Sequence, residues 1–392
     1  MSKKKKLSLF PEYSDKLILF CLITLIVFGS LMIISAEMGG NAGEMSIITK
    51  TALRQCLIVA AGFVVMIVLM KMPLFPFRIE LYWIAYGFFL ILLLLTRAFG
   101  AANGAYAWIR LPGNFTIQPS EFAKAYIILF GAKMLGKDRK EDNIKYLKQF
   151  LIAAAVYFVI ILIYQKDLGS AVVLFGITFI IVMIPPYKEF TDFHMWMLIV
   201  LAGGLLAIGL MLSPPVTNFL MKHSGNYMIG RFLAAANPFM FQYDIGYHLI
   251  IGLVSFATGG WFGLGYGQSI HKYMNFPNPS NDFILPVIVE EMGVVLGLMP
   301  ILVLYGIIFY RLIKHSLKTT KTTCKMICVG TVAYLAIHFV LNVGGVSGLV
   351  PLTGVPLLLI SSGGSSLWAV MMAFGLCENE IINYTKELEA CE

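Results

Sequence analysis

The chain has 392 residues, 59% of them hydrophobic and only 13% charged, with a mean hydropathy of +0.82. A soluble globular domain has no use for that much apolar surface, so a polytopic membrane protein is implied. The formal net charge of +8 is accounted for below by topology and calls for no nucleic-acid partner.

Taken in order, the first apolar stretch is Lys16–Ala36, behind the basic run Lys3–Lys6. It is longer than a signal-peptide core and lacks a convincing cleavage site, so it reads as a retained first span. Further spans are predicted over about 56–70, 81–97, 118–135, 150–164, 171–185, 196–212, 283–310, 326–343 and 355–377. The expectation is an all-α polytopic membrane protein with about ten transmembrane helices. A basic tail (1–15) precedes a membrane domain (16–377), and a tail (378–392) follows it. An even number of spans puts both termini on one side. With that side in the cytoplasm, the inner segments hold twenty of the 29 Lys and Arg residues, as the positive-inside rule requires.

The longest connection, residues 213–282 between spans 7 and 8, then lies outside the cell. Connections of this length tend to carry function. Its stretch His248–Gly267 is apolar and glycine-rich, and is expected to lie on the membrane or to dip into it under cover of protein. The six cysteines form no CxxC pair and the six histidines no metal-ligand pattern.

Several constellations could carry chemistry. In QPSEFAK (Gln118–Lys124), Pro119 suits the first turn of a helix and Glu121 the positive end of its dipole. Glu121 and Lys124 share a face at i,i+3. They read either as a structural ion pair or as groups on a substrate pathway, where membrane proteins keep their costly charges. In QKDLGS, Asp167 opens a span as a cap or as a direct participant. The run Gly259–Gly267 has no strand before it and is no dinucleotide fingerprint; its glycines permit close backbone approach. Asp282 sits at the outer end of span 8, wet yet screened, a suitable place for a general base. Glu290 and Glu291, roughly 12 Å further along the helix, are expected to bind basic partners inside the bundle. SSGGSS (Ser361–Ser366) reads by default as a close-packing surface. The useful outer cations are Arg110, Lys124, Arg231 and Lys272.

Together, NGAYAWI…IQPSEFAK, QKDLGS, RFLAAANPF…YDIGYH, GGWFGLGYGQS, NDFILPVIVEEMG and PLTGVPLLLISSGGSSL, spread over about Leu17–Gly375, resemble the SEDS family of cell-wall proteins (FtsW, RodA, SpoVE), with FtsW the nearest in pattern. The resemblance implies ten spans and a peptidoglycan glycosyltransferase that polymerises lipid II, a disaccharide-pentapeptide on undecaprenyl pyrophosphate. It implies a class B penicillin-binding protein as transpeptidase partner, within the division or elongation machinery. It makes Asp282 the catalytic acid of the family and Glu121, Lys124 and Trp108 its further site residues. A pyrophosphate-bearing ligand would call on the outer cations, so Arg110, Arg231 and Lys272 are expected as substrate contacts, and Asp167 is counted with them. No cofactor is demanded; a divalent cation is compatible with the chemistry. The chain departs from the family pattern at Ala107, Lys166, His248, Asn278, His338 and Ser362. Two other functions fit the same charges: a flippase for the lipid-linked precursor, and a non-catalytic scaffold for the transpeptidase.

Overall fold

The computed structural model describes residues 10–39, 45–73, 77–102, 104–111, 115–137, 139, 142–211, 213, 216, 233, 237–241, 245–274, 276 and 278–391. The chain starts on what we call the terminal face. There Asp15 caps α1 (Lys16–Met38), accepting from the amides of Leu17 and Ile18. It then runs back and forth through α2 (Met45–Lys71), α3 (Ile79–Leu95), α4 (Pro119–Leu135), α5 (Asn143–Val159), α6 (Leu168–Met183) and α7 (Thr191–Met211). The opposite surface, the loop face, holds the connections α1–α2, α3–α4, α5–α6 and the long segment after α7. Span 8 comprises α9 (Ile284–Gly293) and α10 (Met299–Lys318); α11 (Thr322–Val346) and α12 (Gly364–Cys391) complete the bundle.

Six helical stretches are long and apolar enough to cross a bilayer: Lys16–Met38, Ile48–Lys71, Ile79–Phe99, Asn143–Tyr164, Ile284–Lys318 and Thr322–Val346. With α4, α6, α7 and α12 they make the ten expected spans. A two-stranded hairpin, β1 (Ile109–Leu111) against β2 (Phe115–Ile117), is the small exception to an all-α fold. Residues 378–391, read from sequence as a separate tail, continue α12 without a break.

The centre of the bundle is α4, nearly every side chain of which is buried; it packs against α3, α5, α6, α11 and α12. At the other extreme, α7 touches little but α6 and the turn before it. Its Met195, Trp196, Ile199 and Leu206 are more than half exposed. Such apolar faces cost nothing against lipid, which is itself as apolar as leucine.

Sequence periodicity predicts one continuous span over 283–310, and here the structure differs. Gly293 has φ +71° and ψ −177°, a backbone conformation open essentially to glycine alone, and the helix breaks there. The break lies about 15 Å from the head of α9, near the middle of a ~30 Å hydrocarbon layer. Lipid offers no partners to the freed amides and carbonyls, so protein supplies them. α8 (Ile245–Gly259), too short to span, leads into the segment 260–267. Leu264 N donates to Glu290 O (2.9 Å) and Gly265 N to Glu291 O (2.8 Å), while Val294 N and Val295 N donate to the carbonyls of Gly260 and Trp261 (both 3.0 Å). Contact is so close that a Cβ on Gly259 would stand 2.0 Å from Val289 O, and one on Gly263 2.3 Å from Glu291 O. The apolar stretch of the long loop thus clips onto the broken helix.

The acidic pair beside the break fixes the returning segment 267–272. Glu291 receives Ser35 of α1, the amide of Gly267 and the ammonium of Lys272 (2.7 Å), while Glu290 receives Ser269 Oγ, the amide of Ile270 and His271 Nδ1 (2.7 Å). Both carboxylates are fully buried. They serve as the sequence suggests, as anchors for basic groups inside the bundle.

Candidate active site at the loop face

Asp282 stands in the turn that precedes α9 and is partly exposed. Its backbone carbonyl accepts from Asn342 Nδ2 (2.9 Å), which also donates to Val355 O (2.8 Å). A Cβ on Gly354 would lie 3.7 Å from Asp282 Oδ2, so the carboxylate faces the irregular segment between α11 and α12. The preceding residues are tied to SSGGSS: Ser362 N donates to Ser280 O (2.9 Å) and Ser362 Oγ to Asn281 Oδ1 (2.5 Å). Asn278 adopts φ +49°, which asparagine tolerates better than most residues. SSGGSS therefore does more than allow close packing. Ser365 Oγ takes the amide of Gln118 (3.0 Å) and donates to Thr116 O (3.2 Å), tying the head of α12 to the hairpin and the start of α4.

The Gln118–Lys124 motif folds as its sequence indicates, with Pro119 in the first turn of α4. Glu121 and Lys124 form a 2.6 Å ion pair with essentially no exposure. Two residues of α11 complete the cluster. Tyr334 OH donates to Glu121 Oε2 (3.0 Å), and His338 Nε2 lies 3.1 Å from Lys124 Nζ. Neither contact is foreseeable from local spacing, since each partner is over two hundred residues away. The cluster is screened from solvent beneath the surface that bears Asp282, so Lys124 does not line an open cleft.

The other predicted residues divide. Asp167 caps α6 through Ser170 N (3.0 Å) and receives Gln118 Nε2 (2.9 Å), which ties the heads of α4 and α6 together. Trp108 is half-buried next to the hairpin, while Arg110, within it, is exposed. Arg110 is also the described cation among the predicted set that lies open at this face. The side chain of Lys272 is fully buried, and its ammonium is held by Glu291, Ser35 Oγ (3.0 Å) and Gly267 O (2.9 Å), which uses its three donors. In this structure it is part of the clip. Arg231 lies outside the described residues. A cation missing from the sequence reading is Arg54 of α2, exposed, with its guanidinium 5.5 Å from the ring centroid of Phe115 in the hairpin. Among the described residues no three His, Cys, Asp or Glu side chains converge as a metal site.

The likeness of the chain to known proteins extends over nearly its whole length. The family profile described as "Cell cycle protein", covering FtsW, RodA and SpoVE, matches residues 15–386. The chain belongs to this family. It is similar to the stage V sporulation protein E of Bacillus subtilis (strain 168), with 31% identity over 93% of this chain and 96% of the relative. It is also similar to the probable peptidoglycan glycosyltransferase FtsW of Trichlorobacter lovleyi, with 30% identity over 94% of this chain and 93% of that one. Among solved structures, a chain of a peptidoglycan synthase complex that coordinates polymerization and crosslinking matches with a TM-score of 0.69, at 25% identity over 95% of this chain and 98% of the other. Thermus thermophilus RodA matches with 0.59 at 23% identity, over 95% and 97%, a likeness in fold. This family member is accordingly a multi-pass membrane protein.

Proposed function

We propose that this protein is a peptidoglycan glycosyltransferase that polymerises lipid II at the outer leaflet, with the loop face outside and both termini in the cytoplasm. Asp282 accepts the proton of the acceptor sugar's 4-hydroxyl as that oxygen attacks the donor's anomeric carbon. The bond from that carbon to the lipid pyrophosphate breaks with inversion, and the pyrophosphate leaves with the electron pair. A pyrophosphate needs little acid assistance; Arg110, with Arg231, offsets its charge, and Trp108 flanks the entry. The Glu121–Lys124 pair acts from beneath, as a preorganised dipole that costs no reorganisation during the reaction. The observation that carries the reading is Asp282 itself: a carboxylate partly open at the loop face, its backbone held by Asn342, in a chain whose relatives bear the name peptidoglycan glycosyltransferase.

A class B penicillin-binding protein is the partner we assign, since the similar complex couples polymerization to crosslinking. Purified protein with lipid II, with and without that partner, tests the reading. Glycan polymer is the expected product, and Asp282→Asn, inserted and folded normally, is expected to make none. Lipid translocation in vesicles without polymer would instead mark a flippase, and neither activity a scaffold.

A further inference from the structure

On α11, His338 and Asn342 are four residues apart and so lie one above the other on one face, about 6 Å apart along the axis. Both reach the irregular segment before α12: His338 Nδ1 lies 3.2 Å from Pro356 O, and Asn342 Nδ2 2.8 Å from Val355 O. Each also holds one part of the site. Asn342 takes the backbone of Asp282, and His338 takes Lys124.

The partners of His338 fix its protonation pattern. A carbonyl oxygen can only accept, so Nδ1 must carry the hydrogen that points to Pro356. In the neutral ring Nε2 then has a lone pair, and at hydrogen-bond distance it faces an ammonium, which can only donate, while Glu121 Oε2 stands further off at 3.8 Å. The imidazole is thereby a two-ended strut, donating to the segment beside Asp282 and accepting from Lys124. It has no exposed surface, so water cannot replace either contact.

We infer that His338 is a positioning residue: it sets where the Lys124 ammonium stands relative to Asp282, with Asn342 fixing the other end of the same helix face. The inference rests on the glycosyltransferase reading above. A glutamine amide likewise offers one acceptor and one donor group. The chemistry needed there is therefore a linear donor–acceptor pair rather than an imidazole as such.

The test uses the full-length protein in detergent with lipid II and, where required, the transpeptidase partner. His338→Leu removes both ends of the strut, and kcat per folded molecule is expected to fall about ten- to a hundredfold, the range for one lost hydrogen bond to a charged group. KM is expected to change by less than about threefold, because His338 touches no substrate. His338→Gln is expected to restore kcat to within about threefold of the parent. His338→Asn, polar but too short to span both partners, is expected to behave like leucine, and it carries the test if the leucine variant does not fold. Parental kcat in folded His338→Leu or His338→Asn overturns the inference, as does failure of glutamine to restore it. If the parent makes polymer and Asp282→Asn does not, such a result sinks the positioning role alone. If the parent makes none, the glycosyltransferase reading falls first.

Discussion

Glu121 and Lys124 show how a buried charge survives in this bundle. Their 2.6 Å contact, with Tyr334 on one side and His338 on the other, leaves little of either charge unmatched. Removing one partner strands the other in a dry interior, which costs about 3–5 kcal/mol, whereas replacing both with apolar residues of similar size is far milder. Lys124→Met is therefore expected to lower thermal stability in detergent more than Glu121→Leu and Lys124→Met together, as unfolding scans would show. Asp167 gives the opposite contrast. As a cap, its change to Ala should cost about 0.5–2 kcal/mol and leave polymer synthesis within a few-fold of the parent; complete loss of synthesis in a folded variant would make it a direct participant. The sequence made the Glu121–Lys124 pair and the Asp167 cap legible, because both depend on neighbours three residues away. Tyr334, His338 and Asn342 were not legible as partners, because their contacts depend on how α11 lies against α4 and the turn at Asp282.

At the scale of elements the ten spans follow from hydropathy, and the break in the eighth does not. Glycine inside an apolar run leaves the hydropathy profile unchanged, and only the paired segment 259–267 reveals why Gly293 must stand there. Gly293→Ala would force a side chain into a backbone region that costs about 1–3 kcal/mol, and its Cβ would sit 2.4 Å from Trp261 O. Gly260, though at φ +52°, has nothing within 4 Å of a built Cβ. Gly293→Ala should thus lower the melting temperature clearly more than Gly260→Ala, and proteolysis should cut 260–267 faster in the former. Equal effects would mean that the clip adds little to the fold.

For the whole molecule, the terminal face closes the bundle by a knot of its own. Asp15 receives Arg311 and His315 of α10 (2.7 and 2.8 Å), while its own amide donates to Glu378 of α12 (2.9 Å). Next to Glu378, Asn379 donates to the carbonyls of Leu69, Met70 and Met72 at the end of α2. Burial alone would raise the Asp15 carboxyl, but the hydrogen bonds from His315 and Arg311 outweigh it and hold it down at about 2. A depressed folded value means stability that is complete above the ordinary carboxylate range and is lost as pH falls through the folded value. The parent should hence lose stability between about pH 4 and pH 2, an acid loss that Asp15→Asn should lack while starting from a lower plateau, as melting curves against pH would report.

The interlocked eighth span also bears on biogenesis. α8 and the glycine-rich segment precede Gly293 in the chain, so the ribosome delivers the mate before the broken helix that needs it. Span 8 can accordingly enter the bilayer as two pieces, Ile284–Gly293 and Val294–Lys318, already provided with acceptors and donors, instead of as a rod that must later snap. Reversing that order by circular permutation between residues 274 and 278 would deprive the nascent span of its companion and should stall its insertion.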